Sequence, residues 1–130
     1  MNQGSGKYSE FFYAVLRIVT GLLFACHGAQ KLLGALGGQG PVDDPLMIAA
    51  GIIEFFGGLL VFLGFGTRYA GFIASGQMAV AYFKMHAVQD FWPIKNGGEL
   101  AVLYCFLFLY ITFKGSGMLS LDRAIRKKKR

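Results

Sequence analysis

Residues 46–64 read LMIAAGIIEFFGGLLVFLG, nineteen residues whose one charge, Glu54, stands near the middle. An apolar run of that length spans the hydrocarbon core of a bilayer as a helix, which takes roughly 20 residues. Its upstream neighbour is a loop by every turn signal: Gly34 to Gly40, then Pro41, Val42, Asp43, Asp44 and Pro45. Before that loop a second apolar run extends from about Phe11 to Leu33, interrupted by Arg17, His27 and Lys31. It exceeds the roughly 7–15 residues of a signal-peptide core and carries polar groups where cleavage would fall, so it reads as a span.

Downstream, Phe65, Gly66 and Thr67 leave room only for a tight turn between antiparallel neighbours, and Arg68 opens a third span that ends near His86. Residues 87–98 hold Asp90, Trp92, Pro93, Lys95 and Asn96, an interfacial loop with an aromatic anchor. A fourth span follows over 99–113. Lys114, Gly115, Ser116 and Gly117 end it and lead to a short amphipathic piece, Met118 to Ile125.

Composition supports this division. Of 130 residues 55% are hydrophobic and 15% charged, with mean hydropathy +0.49, whereas soluble domains carry about 25% charge. A soluble globular domain and a disordered chain are both excluded on that basis. Four spans and their loops leave no room for a separate soluble catalytic domain, so any chemistry lies in or just above the membrane or belongs to a partner. The expected architecture is all-α: a four-helix transmembrane bundle, up-down-up-down, with spans at about 11–33, 46–64, 68–86 and 99–113. Residues 1–121 form one membrane domain, and 122–130 a basic tail.

In that tail six cations outweigh Asp122, so it holds +5 of the chain's net +6. Such a tail beside a span reads as a cytoplasmic anchor against anionic lipid; the rest of the chain offers no basic face for nucleic acid. Lys7, Arg68, Lys114 and the tail place nine cations on one side, against Lys31, Lys84 and Lys95 on the other. The excess puts both termini in the cytoplasm.

Ionisable groups in apolar spans are costly, at about 2.5–3.5 kcal/mol each, and so tend to face the bundle interior and mark function. By depth, His27 lies about 9 Å below the outer end of its helix and Glu54 about 12 Å below that of the next. The third span ends outward with Lys84 and His86, and the fourth begins outward with Asn96 and Glu99. Polar groups from all four helices thus converge at one level. Spacing agrees: Arg17, Thr20, Phe24, His27 and Lys31 recur in steps of 3 and 4, as do Arg68, Gly71, Ser75, Met78 and Tyr82. Gly51, Glu54 and Gly58 share a face on which small residues permit close helix approach.

Competing readings of the same residues exist. Glu54 neutralising Lys31 or His27 would be a structural pair, with Lys84 and Lys95 extending to the headgroups. His27, His86, Glu54 and Glu99 lack the spacing of a metal site. Cys26 and Cys105 lie at similar depth without a Cys-x-x-Cys pattern and read as inert thiols. Arg17 and Arg68, near the inner end, suit phosphate headgroups or helix C-terminal carbonyls.

The order and spacing of Arg17 to Gly21, His27-Gly28 with Lys31, Glu54 with Gly57-Gly58, Leu63-Gly64 with Thr67-Arg68, Asn96-Gly97-Gly98-Glu99, and Leu119-Ser120-Leu121-Asp122 resemble the DoxX family of small four-helix membrane proteins. The resemblance covers nearly the whole chain. It implies a multi-pass protein of the bacterial cytoplasmic membrane, whose relatives include members of membrane oxidoreductase systems such as thiosulfate:quinone oxidoreductase, and of thiol and quinone stress responses. It supplies no catalytic residues.

The expectation is therefore a membrane subunit of an oxidoreductase system with an outer-half pocket for a quinone-like or other small redox molecule. His27 and Glu54 carry the chemistry: His27 hydrogen-bonds a carbonyl or shuttles a proton, Glu54 is its proton partner, and Lys31 sets the charge of Glu54. Asn96 and Glu99 close the mouth, with His86 beside them, while Phe24, Tyr82 and Trp92 supply apolar walls. No covalent cofactor and no metal is expected, and the absence of haem or iron–sulfur ligation patterns assigns electron transfer to a partner. The partners expected are membrane lipid, an oxidoreductase subunit and a second copy of the chain. The alternative is a non-catalytic scaffold or small-molecule carrier that binds a partner subunit.

Overall fold

The computed structural model of the protein describes residues 3–130, and all regular structure among them is helical. Helix α1 is Gln3–Leu33 and α2 is Pro45–Leu63, the latter with a π-helical turn at Ile53–Gly57. Helix α3 covers 67–86, α-helical over Thr67–Ala81 and π-helical over Tyr82–His86. A single turn, α4 (Pro93–Asn96), precedes α5 (Glu99–Lys114) and α6 (Leu121–Lys128). Helix α1 and helix α2 are long and apolar enough to cross a membrane.

Local chemistry sets the helix ends. The Asp44 carboxylate accepts from Met47 N at 3.1 Å while Pro45 occupies the first helical position, where a missing N–H costs nothing. Helix α2 stops at Gly64, whose φ of 69° suits a residue without Cβ. Ser120 caps α6 by accepting from Arg123 N at 3.3 Å. Two boundaries differ from expectation. Helix α1 reaches back to Gln3 rather than starting at Phe11: residues 4–10 hold no proline, and hydropathy marks only the apolar part of the helix. The basic tail, expected from residue 122, is itself mostly helix α6.

Helices α1 and α2 run antiparallel in backbone contact: a Cβ on Gly21 would lie 2.7 Å from Gly58 O, and one on Gly58 would lie 2.7 Å from Gly21 O. Only glycine fits both positions. Helices α3 and α5 form the other heavily packed antiparallel pair, with Ser75 Oγ donating to Cys105 O at 2.8 Å and Arg68 Nη1 donating to Thr112 O and Phe113 O at 2.9 and 2.7 Å. Arg68 thus takes the helix C-terminal carbonyls expected of it. The pairs meet around Phe24, whose ring centroid lies 4.6 Å from Phe108 and 5.3 Å from Tyr104, with Val61, Ala74 and Ile111 buried nearby. Outward, Phe72, Phe106 and Phe113 are 65%, 64% and 75% exposed, a surface suited to lipid rather than water.

Candidate functional site

At the end of the bundle near His27, a cavity of about 430 Å³ opens between α1, α2, α3 and α5. Phe24, His27 and Lys31 reach it from α1, Met47 and Glu54 from α2, Gln77 and His86 from α3, and Tyr104 from α5. The π-helical turn of α2 contains Glu54 and that of α3 contains His86, so each helix carries its irregular turn where it borders the cavity. Such turns insert one residue into the helical repeat and recur at functional sites.

Lys31 Nζ donates to Glu54 Oε2 at 2.5 Å, and Gln77 Nε2 donates to Glu54 Oε1 at 3.1 Å. Both carboxylate oxygens are therefore engaged. The Glu54 side chain is 3% exposed and that of Lys31 22%, so the pair closes the cavity floor while the ammonium keeps contact with the open space. The carboxylate also fixes the Gln77 amide, since only the NH₂ can face it, and this leaves Oε1 buried without a protein partner. His27 stands edge-on to Tyr104, with ring centroids 6.1 Å apart. Among the described residues its imidazole nitrogens find no hydrogen-bond partner, so the ring is a free polar group of the cavity, as is Gln77 Oε1. The combined surface offers one neutralised ion pair, one free imidazole and aromatic walls, suited to an uncharged planar molecule with polar edges.

Five of the residues singled out from sequence line this space: Phe24, His27, Lys31, Glu54 and His86. The others do not. The Asn96 amide is used inside its own loop, donating to Asp90 O at 2.7 Å and to the Tyr82 hydroxyl at 3.2 Å and accepting from Gly98 N at 2.7 Å. Tyr82 in turn donates to Phe91 O, so both residues organise the 87–98 loop behind the cavity. Trp92 and Glu99 are exposed and outside the lining. Gln77 escapes sequence reasoning because it is neutral; its position one turn past Ile73 on α3 is the only signal. Among the described residues no three of His, Cys, Asp and Glu form a group able to hold a metal ion, and both cysteines are free.

The opposite end holds a second polar cluster. Arg17 is fully buried on α1 and donates to Ser116 O at 2.5 Å and Leu119 O at 2.8 Å. Its carbonyl partners lie in the 115–120 segment rather than at a helix end or a headgroup. Tyr13 Oη donates to Gly115 O at 2.5 Å. Ser116 Oγ donates to Asp122 Oδ2 at 2.5 Å and accepts from the Thr67 hydroxyl at 2.9 Å, and the same carboxylate accepts from Gly66 N at 3.1 Å. Asp122 N returns a bond to Gly64 O at 3.0 Å. Burial alone would raise the Asp122 pKa. The hydrogen bonds from Ser116, Gly66 and Thr67, with the charge of Arg126, outweigh it and hold the carboxyl below its usual range. The cluster borders an open cleft of about 470 Å³ at Thr67, Ser116 and Asp122, but its polar groups are spent joining α1, the α2–α3 turn and α6.

Comparison with known proteins gives consistent results. The DoxX family model matches residues 12–87. A Haemophilus influenzae protein described as uncharacterized is 47% identical over 129 residues, covering 94% of this chain and 96% of its own. CatD of Bacillus subtilis, provisionally named an oxidoreductase, is 31% identical over 95% of this chain and 94% of its own. The Escherichia coli inner membrane protein YqjF is 32% identical over 94% of this chain and 98% of its own. No solved structure matches the chain.

Proposed function

This chain belongs to the DoxX family of membrane proteins, and on that premise we propose that it is a subunit of a membrane oxidoreductase system that binds a quinone-like or other small redox molecule in the His27 cavity. The four long helices are its spans, up-down-up-down, with both termini in the cytoplasm of a bacterium and the cavity in the outer half of the cytoplasmic membrane. The excess of cations at the Arg17 end supports that orientation, and the inner membrane relative supports the location.

The observation that carries the reading is the free imidazole beside a fully engaged carboxylate. His27 donates a hydrogen bond to a quinone carbonyl or accepts one from a quinol hydroxyl, since an imidazole carries one donor and one acceptor nitrogen. Lys31 and Gln77 hold Glu54 in place, so that Glu54 exchanges a proton only when a ligand displaces one of them. Phe24 and Tyr104 flank the ring. Electrons reach the ligand from a partner subunit, a role to which the name of the Bacillus relative lends weak support.

The test is binding of a short-chain benzoquinone to purified protein in nanodiscs. His27→Ala should weaken binding at least tenfold while leaving the melting temperature within a degree or two, since the ring makes no hydrogen bond within the fold. Unchanged affinity in both His27→Ala and Glu54→Gln would reject the site and leave the scaffold or carrier reading.

A further inference from the structure

We propose that the His27 cavity is loaded sideways from within the membrane, through a groove between α2 and α3, and that its ligand is an amphiphile: a small polar ring bearing one apolar chain. The inference rests on the cavity being a ligand site and adds the route and the chemical class.

The groove, of about 260 Å³, runs between Leu46, Ala49 and Ile53 of α2 and Ile73, Gly76 and Val80 of α3. Met47, Ala50, Gln77, Ala81 and Met85 line both the groove and the cavity, so the two spaces abut across this one layer of side chains, which must part for a ligand to pass. Their chemistry changes along that path. The groove walls are aliphatic, with Lys84 the one charged residue bordering them, whereas the cavity beyond Gln77 presents Glu54, Lys31 and His27. Leu46, Ile73 and Val80 are exposed, so the groove opens on the surface that faces lipid.

Small residues make the gap. A Cβ on Gly76 would meet nothing within 4 Å, whereas one on Gly21, Gly28 or Gly58 would strike the backbone of the facing helix. Close packing therefore explains those three glycines, and it does not explain Gly76. Ala49 and Ala50 on the opposing helix leave the same space unfilled. From residue 46 to 53 the groove extends about 10 Å along the helix axis, enough for a short run of methylenes. A charged or strongly hydrated solute would lose its water in such a passage without compensation, and a ring with an apolar chain would not. Because lipid is as apolar as the groove, seating the chain there adds little affinity. What the groove supplies is access and orientation, with the ring at His27 and the chain towards the bilayer.

The experiment compares two benzoquinones with the same ring, one without a chain and one with a decyl chain, on wild type, Gly76→Phe and Ala49→Phe in nanodiscs. The open space at Gly76 accommodates the new ring, and Ala49→Phe fills the groove from the opposite helix should the first variant fold poorly. Either plug should weaken binding of the decyl compound at least tenfold and leave the chainless one within twofold. Equal binding of both compounds by well-folded plugged protein would overturn lateral loading while leaving the cavity as the ring site. Failure of wild type to bind either compound would overturn both readings.

Discussion

The two ends of this molecule start from the same kind of residue and use it in opposite ways. At one end Asp122, Ser116 and Thr67 spend their polar atoms on one another and on backbone, and Arg17 gives both terminal nitrogens to main-chain carbonyls while its Nε stays buried. At the other, Lys31, Glu54 and Gln77 form a chain of hydrogen bonds along the wall of a cavity in which His27 remains free. An ionisable side chain in an apolar span is therefore no sign of a ligand by itself. Both ends border open space, and what separates a clasp from a site is whether a polar side chain facing that space is left without a partner.

The contrast is broken most severely by removing Arg17. Arg17→Met leaves the Ser116 and Leu119 carbonyls without their donor, at about 1–3 kcal/mol for each acceptor, so a loss of roughly 2–6 kcal/mol should appear in thermal denaturation of the purified protein. Arg17→Lys should recover less than half, because one ammonium cannot reproduce the fork that reaches both oxygens. A Met variant that melts with wild type would remove the structural role of this end.

A smaller effect sharpens the other side. Lys31→Met leaves Glu54 buried with Gln77 alone and should destabilise by about 1–3 kcal/mol, while Lys31→Met combined with Glu54→Gln should regain most of it, since removing both partners of a buried pair is often nearly neutral. Additive losses across this double-mutant cycle would mean that the pair is not coupled. The smallest effect concerns acid. The Asp122 carboxyl is held below its ordinary value of about 3.9, so the stability it adds is complete above that pH and is lost as pH falls through the lower folded-state value. Asp122→Asn should be less stable than wild type at neutral pH, by about 1 kcal/mol at most, and the gap should close towards acid. A gap that stays constant down to pH 2 would contradict the assignment.

Sequence made the helices and half of the cavity legible. The four apolar runs match the four long helices, because turn residues at 34–45, 64–66 and 87–98 bound each run on the sequence itself. The 3–4 spacing correctly set Phe24, His27 and Lys31 on one face with Glu54 opposite. The π-helical turns were not legible, since a surplus residue within a helix leaves apolar composition unchanged. Gln77 carried no charge to flag it. Asn96 looked like a mouth residue until the loop carbonyl and hydroxyl that occupy its amide were visible. Arg17 was misread for a related reason: its acceptors are main-chain carbonyls 99 and 102 positions away, and a carbonyl leaves no mark in sequence.

That separation bears on how the protein is made. Ribosomes add roughly 5–20 residues per second, so α1 leaves the ribosome several seconds before Ser116 and Leu119 exist. For that interval its guanidinium lacks both of its final acceptors. A chain that stops short of residue 116 would therefore keep a guanidinium in its first helix without the two carbonyls that hold it in the finished fold.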